Sequence, residues 1–201
     1  MVLNLDDLIR QAAARKEELD RWGVYFLGPI TDEEAERFCK ALLIMGQMRR
    51  DYPNSEITVY VNSGGGSVGA GLAIIEMMGR IKRECSVKIN TVVLGYAYSM
   101  GAVILQAGDR RSMGPLSTLM LHGGSWMLSG EDRAIFEDYH KLADHYKQIM
   151  GELFAKRTGR HTPEWWTEYI YSGRERFLSA AECLELGLID EIAGWDEWQR
   201  K

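Results

Sequence analysis

Three short segments of the chain carry residue types that could perform acyl transfer. The first is the run Gly95-Tyr-Ala-Tyr-Ser99-Met-Gly-Ala102, in which Ser99 follows an apolar stretch and opens another. A serine at a turn from strand to helix presents its hydroxyl outward, and the amide of the next residue, Met100, stands beside it as a donor to a developing oxyanion. The run approximates the Gly-x-Ser-x-Gly elbow, with Ala97 at the first glycine. A serine at such a turn is also a common helix N-cap, so a nucleophilic role requires a base nearby.

His122 is the candidate base. It ends the run Leu119-Met-Leu-His122 and precedes Gly123-Gly124, which places its imidazole toward a loop, suited to proton transfer near neutral pH. His140, His145 and His161 fall in a charged helix or a polar turn and read as solvated. The third segment is Asn62-Ser-Gly-Gly-Gly-Ser67. Its backbone amides can meet negative charge at the start of a helix. No Gly-Lys-Ser/Thr follows, and the spacing does not match a dinucleotide fingerprint. By itself it reads as a turn; beside a nucleophile its amides gain an oxyanion to hold.

These segments need elements to hold them. Residues 22–28 read as a short buried strand. Thr31-Asp-Glu-Glu34 is a capping-box pattern ahead of a helix that buries Ala35, Phe38, Cys39, Leu42 and Met45. A strand over 57–61, a helix over 68–81, a strand over 86–94, a helix after Ser99 and a strand over 118–121 follow. This alternation predicts an α/β domain with a mainly parallel sheet. A long helix is expected over about 130–158, where Ile135, Tyr139, Leu142, Tyr146, Ile149 and Leu153 form an apolar seam that Phe136, Met150 and Phe154 widen. A seam this broad suggests a second subunit as its cover. Ser179-Ala-Ala-Glu182 is another capping box, Gly187 a helix stop and Asp190 a structural turn residue. Residues 1–21 read as an amphipathic helical extension ahead of one domain over 22–201.

Composition narrows the classes. The 201 residues are 46% hydrophobic and 26% charged, with formal net charge −5, which is ordinary for a globular domain. Lys and Arg form no basic stripe, so nucleic acid is not an expected partner. Apolar stretches are too short to cross a bilayer, and the N-terminus lacks the apolar core of a signal peptide. Three cysteines without metal-like spacing suit a reducing compartment. A soluble cytoplasmic protein with no membrane partner is expected.

The ordered set Tyr60-Val-Asn-Ser-Gly-Gly-Gly66, Ala97-Tyr-Ser-Met-Gly-Ala102, Leu119-Met-Leu-His122, Arg176-Phe-Leu-Ser-Ala180 and Gly187-Leu-Ile-Asp190 resembles the ClpP family, the proteolytic subunits of Clp protease. The resemblance covers about residues 22–192. It implies a ClpP/crotonase-like α/β fold, with the long helix protruding as a ring-to-ring handle. It also implies a serine-type endopeptidase that needs no ATP for the hydrolysis itself, with Ser99 as nucleophile, His122 as base and Gly66 and Met100 as oxyanion donors. Two stacked heptameric rings, a tetradecamer, would enclose the sites and restrict substrates to unfolded polypeptides or peptides. No cofactor and no metal are implied.

The chain departs from that pattern at four places. Gly64 replaces the usual Pro in the glycine turn, Gly123-Gly124 replaces the Gln-Pro after the histidine, and the segment before Ser99 is a few residues longer. The catalytic aspartate of the family falls on Glu175, whose extra methylene lengthens the reach by roughly 1.5 Å. The implied partner, a Clp-type unfoldase ATPase, is disfavoured by Thr58 at a commonly aromatic docking position and by a helical reading of 1–21 in place of a gating loop. Two other classes share the fold: a non-catalytic ring or scaffold subunit, and a crotonase-type acyl-CoA enzyme that needs no Ser–His pair.

Overall fold

Alternating β-branched residues line one buried face of an inner strand: in β2 (Glu56–Ser63), Ile57, Val59 and Val61 are fully buried. The computed structural model describes residues 23–50, 55–124 and 133–194, with side chains from 137 onward in the last segment. The expected helical extension over 1–21 lies outside the described residues.

β1 (Val24–Leu27) and β3 (Lys88–Tyr98) flank β2, both parallel to it. β4 (Arg111–Met113) and β7 (Glu191–Ile192) extend the sheet in parallel beyond β3. The seven-stranded sheet runs β1-β2-β3-β4-β7, and β5 (Thr118–Leu121) branches from β3 to pair with β6 (Arg176–Ser179). Only the β5–β6 pairing is antiparallel among the described strands. The expected α/β class with a mainly parallel sheet is what the chain adopts.

The branch arises inside β3. Its residues 91–93 pair with β4, whereas Tyr96, Ala97 and Tyr98 pair with β5. Gly95 sits between them at φ +82°, a conformation that L side chains rarely adopt. The buried Ser117 hydroxyl holds the switch, accepting from the Gly95 amide at 3.0 Å and donating to the Val93 carbonyl at 3.2 Å. As a result β3 runs on past the expected end at 94, up to the residue before Ser99.

Two long helices, α1 (Asp32–Arg49) and α2 (Val68–Cys85), pack on each other and on the sheet. Phe38, Leu42, Met45, Ile74, Met78 and Ile81 are fully buried in this core. Only half of the Thr31 capping box forms. The Thr31 hydroxyl accepts from the Glu34 amide at 3.1 Å, but the Glu34 carboxylate turns to the Tyr25 hydroxyl and to Arg37. A short helix, α3 (Met100–Leu105), is buried throughout. α4 (Arg133–Thr158) and α5 (Pro163–Ile170) form an antiparallel-type pair held by Phe154 against the fully buried Trp166. The capping box at Ser179 and Glu182 is complete and starts α6 (Ala180–Glu185), and Gly187 at φ +72° follows its end.

The expected apolar seam of the long helix is divided. Tyr139 and Leu142 are exposed, whereas Met150 and Phe154 are buried by the chain itself, because α5 folds back against them. Ile135 and Phe136 lie outside the residues whose side chains are described. Among the described residues, no helix is long and apolar enough to cross a membrane.

Candidate active site

Ser99 occupies the N-cap position of α3, yet its side chain makes no capping hydrogen bond. Its backbone has φ 52° and ψ −120°, a left-handed conformation that costs a non-glycine residue on the order of 1–3 kcal/mol. Surrounding structure imposes it. The Ser99 amide donates to the Met120 carbonyl at 2.9 Å, and its carbonyl accepts from Ala102 at 3.0 Å. The freed hydroxyl lies 2.8 Å from Nε2 of the half-buried His122. The N-cap role is therefore set aside by geometry: the hydroxyl faces an imidazole and not the helix amides.

The pairing of β3 with β5 explains this contact. Tyr98 pairs with Met120, so the residues that follow each strand, Ser99 and His122, leave the sheet close together at the same end. His122 reaches across from the end of β5, one residue past the last paired position. The two candidates identified from separate motifs are thus brought into hydrogen-bond contact.

The glycine turn closes the site from the β2 side. Ile30 forms a parallel bridge with Gly66: the Ile30 amide donates to the Gly65 carbonyl at 2.9 Å, and the Ser67 amide donates to the Ile30 carbonyl at 2.8 Å. This bridge aims the Gly66 amide away from Ile30. At Gly66 (φ +145°) a Cβ would lie 2.1 Å from the Ile30 carbonyl oxygen, so only glycine fits. Met100 is anchored by α2, where a Cβ on Gly71 would come 2.3 Å from its Cγ. Neither the Gly66 nor the Met100 amide has a backbone acceptor among the described residues. The absent proline at Gly64 removes no donor from this turn.

Glu175 is not in contact with His122. Its side chain is exposed and makes no hydrogen bond or ion pair among the described residues, with Arg174 and Arg176 included. Its backbone position is informative nonetheless. β5 and β6 pair antiparallel from Thr118 opposite Ser179 to Leu121 opposite Arg176. The ladder stops there, so His122 and Glu175 are each the first residue beyond it, and one further step of the same register would bring them opposite each other on one face. Arg176, next in line, is fixed by donating to the Tyr169 carbonyl at 2.8 Å and to the Ser172 hydroxyl at 3.3 Å. Asp190 has a different task, binding the buried Arg111 through both carboxylate oxygens at 2.6 and 3.2 Å.

A cavity of about 480 Å³ opens beside Ser99, Met100 and His122. Val103, Leu121, Met150, Phe154 and Ile170 make much of its wall apolar, with Tyr146 and Tyr171 adding aromatic rings. Met150, Phe154 and Tyr171 are site residues that motif reading misses; the first two are visible only as an apolar stripe, and Tyr171 carries no motif at all. No group of three or more His, Cys, Asp or Glu side chains able to hold a metal occurs among the described residues.

The arrangement offers a hydroxyl on an imidazole, two free amides beside it and an apolar recess. The family model for Clp protease matches residues 10–195. The match spans the glycine turn, Ser99, His122 and Glu175 alike, and the chain belongs to the Clp protease family, whose activity is peptide-bond hydrolysis.

Proposed function

We propose that the chain is a serine-type endopeptidase using Ser99 as nucleophile and His122 as general base. The observation that carries this reading is the 2.8 Å approach of the uncapped Ser99 hydroxyl to His122 Nε2. In the first half-reaction the Ser99 oxygen bonds to the scissile carbonyl carbon while its proton passes to Nε2. The Gly66 and Met100 amides donate to the carbonyl oxygen as it becomes an oxyanion. Collapse breaks the C–N bond, and Nε2 returns the proton to the leaving amine. Water, deprotonated by the same nitrogen, then hydrolyses the acyl-enzyme and restores Ser99. No step consumes ATP.

Glu175 is the acid of this scheme: continued by one step, the β5–β6 register would bring it opposite His122, and among the described residues no hydrogen-bond or ion-pair partner holds its carboxylate. Substrates are unfolded polypeptides or peptides that enter the apolar recess as extended chains. The exposed Tyr139 and Leu142 of α4 supply a contact between rings, consistent with a stacked heptameric chamber in the cytoplasm. Phe26 and Tyr60, stacked at 5.1 Å on β1 and β2 beside Thr58, supply apolar surface where a Clp-type unfoldase ATPase would dock. A Ser99→Ala variant tests the reading: hydrolysis of a fluorogenic peptide is expected to fall about 10⁶-fold with assembly unchanged. Hydrolysis at the unmodified rate would overturn it.

A further inference from the structure

Gly123, the residue after His122, makes a contact that the scheme above does not use. Unlike Gly124 at φ +69°, it has no positive φ, so its backbone is one that other residues adopt. A Cβ at Gly123 would nevertheless lie 2.6 Å from Cδ1 of Tyr171 and 3.2 Å from its Cγ. Tyr171 keeps position 123 bare, chiefly through its ring, with its Cα a further 3.3 Å contact.

Tyr171 is held from its own helix. It caps the C-terminus of α5, and its amide donates to the Thr167 carbonyl at 2.9 Å. The half-buried ring lines the cavity beside His122, together with Met150, Phe154 and Ile170. Its hydroxyl has no hydrogen-bond partner among the described residues, and burial raises the phenol above its ordinary value. The side chain therefore acts through the volume and surface of its ring.

We propose that Tyr171, seated on Gly123, is a specificity-determining residue whose ring sets the size of the apolar side chain accepted on the acyl side of the scissile bond. The inference rests on the Ser99–His122 reading, since that pair defines where the scissile carbonyl lies. The ring takes up part of the recess wall near His122, and on this proposal the space left favours branched aliphatic side chains. Without it the recess deepens, so bulky aromatic side chains gain contacts and aliphatic ones lose them.

The test is a double-mutant cycle read on two fluorogenic peptides that differ only in Trp or Leu before the cleaved bond. Tyr171→Ala is expected to raise the Trp-to-Leu ratio of kcat/KM by about tenfold or more, and Tyr171→Phe to keep it within about twofold. Gly123→Ala displaces the ring, so it is expected to change the ratio by about threefold or more in the parent chain and by less than about twofold in the Tyr171→Ala background. An unchanged ratio in Tyr171→Ala, or an equal effect of Gly123→Ala in both backgrounds, would overturn the proposal. Fluorophosphonate labelling of Ser99 in each variant separates the two readings. Labelled variants with an unchanged ratio contradict the role of Tyr171 alone; an unlabelled parent chain contradicts the nucleophile itself.

Discussion

A methyl group placed on Gly65 would lie 2.7 Å from the Ser99 Cβ, 2.9 Å from the Tyr98 carbonyl oxygen and 3.1 Å from the Met100 amide nitrogen. The glycine turn after β2 and the serine turn after β3 are therefore packed backbone to backbone, and each fixes the other. Gly65 also sits at φ +93°, which strains any L side chain by about 1–3 kcal/mol. Gly65→Ala is expected to move Ser99 and the Met100 amide together. Loss of one aligned oxyanion donor costs about 10²–10³ in kcat, and a fall of that order is the expected result. Peptide kinetics with a thermal melt check it; wild-type kcat in a folded Gly65→Ala chain would contradict the packing.

Among the described residues the exposed Glu175 makes no hydrogen bond or ion pair, so a loss of rate on changing it without a change in melting temperature reports function rather than folding. Glu175→Gln is expected to leave the melting temperature unchanged and to lower kcat at least about tenfold, by removing the charge that stabilises an imidazolium. Glu175→Asp restores the shorter acid at the same register position and is expected to retain more activity than Glu175→Gln. Equal activity of the glutamine variant and the parent chain would leave Ser99 and His122 as a dyad.

Asp190 anchors the end of the sheet to the core. Its carboxylate grips the buried Arg111, whose Nη1 donates to Gln106 at 2.7 Å, while Gln106 donates to the Leu188 carbonyl at 3.1 Å. Partial burial pushes the Asp190 carboxyl up, but the hydrogen bonds and charge of Arg111, with Arg157 nearby, outweigh it and hold the group below its ordinary value. A carboxyl lowered in the folded state adds stability that is present above its unfolded value and lost as pH falls through its folded value. Asp190→Asn is expected to cost roughly 1–3 kcal/mol at neutral pH by leaving Arg111 without its charged acceptor. It is also expected to flatten the acid limb of stability, as denaturant titrations at stepwise lower pH would record. An unaltered acid limb would show that other carboxylates govern it.

Association of rings is checked at Tyr139. The side chain is 44% exposed and lies away from the cavity wall, so a charge there is tolerated in a lone subunit but penalised in a desolvated contact. Tyr139→Asp is expected to reduce the particle mass measured by light scattering to that of smaller rings. A parent chain that scatters as a 22.8 kDa monomer would contradict the chamber.

Ser99 and His122 were legible in the sequence because each closes a local apolar run, and the end of a strand is where a side chain leaves the sheet. The β3–β5 pairing that joins them is longer in range, as is the β5–β6 register that ends beside His122 and Glu175. No local pattern encodes either. β4, β6 and β7 have three, four and two residues, too few to show a period. Met150 and Phe154 continue the stripe of Tyr139 and Leu142, so periodicity alone cannot reveal that they are buried from within the chain, Phe154 against Trp166. His161 is exposed, as expected of a solvated turn residue, and in addition it stacks on Trp165 at 3.8 Å, with Trp165 stacked on Tyr169 in turn. That column exists only once α5 has formed. Tyr171 carries no local signal for a similar reason: its meaning depends on an empty position at Gly123.

The most direct measurement is the intact mass and peptide map of the chain after reaction with a fluorophosphonate. An activated serine forms one phosphonyl ester, releasing fluoride, whereas ordinary surface hydroxyls do not react. The expected result is a single adduct mapped to Ser99, absent from Ser99→Ala and strongly reduced in His122→Ala, which removes the 2.8 Å partner of the hydroxyl. No adduct on the parent chain, or an adduct at another residue, would contradict Ser99 as the nucleophile.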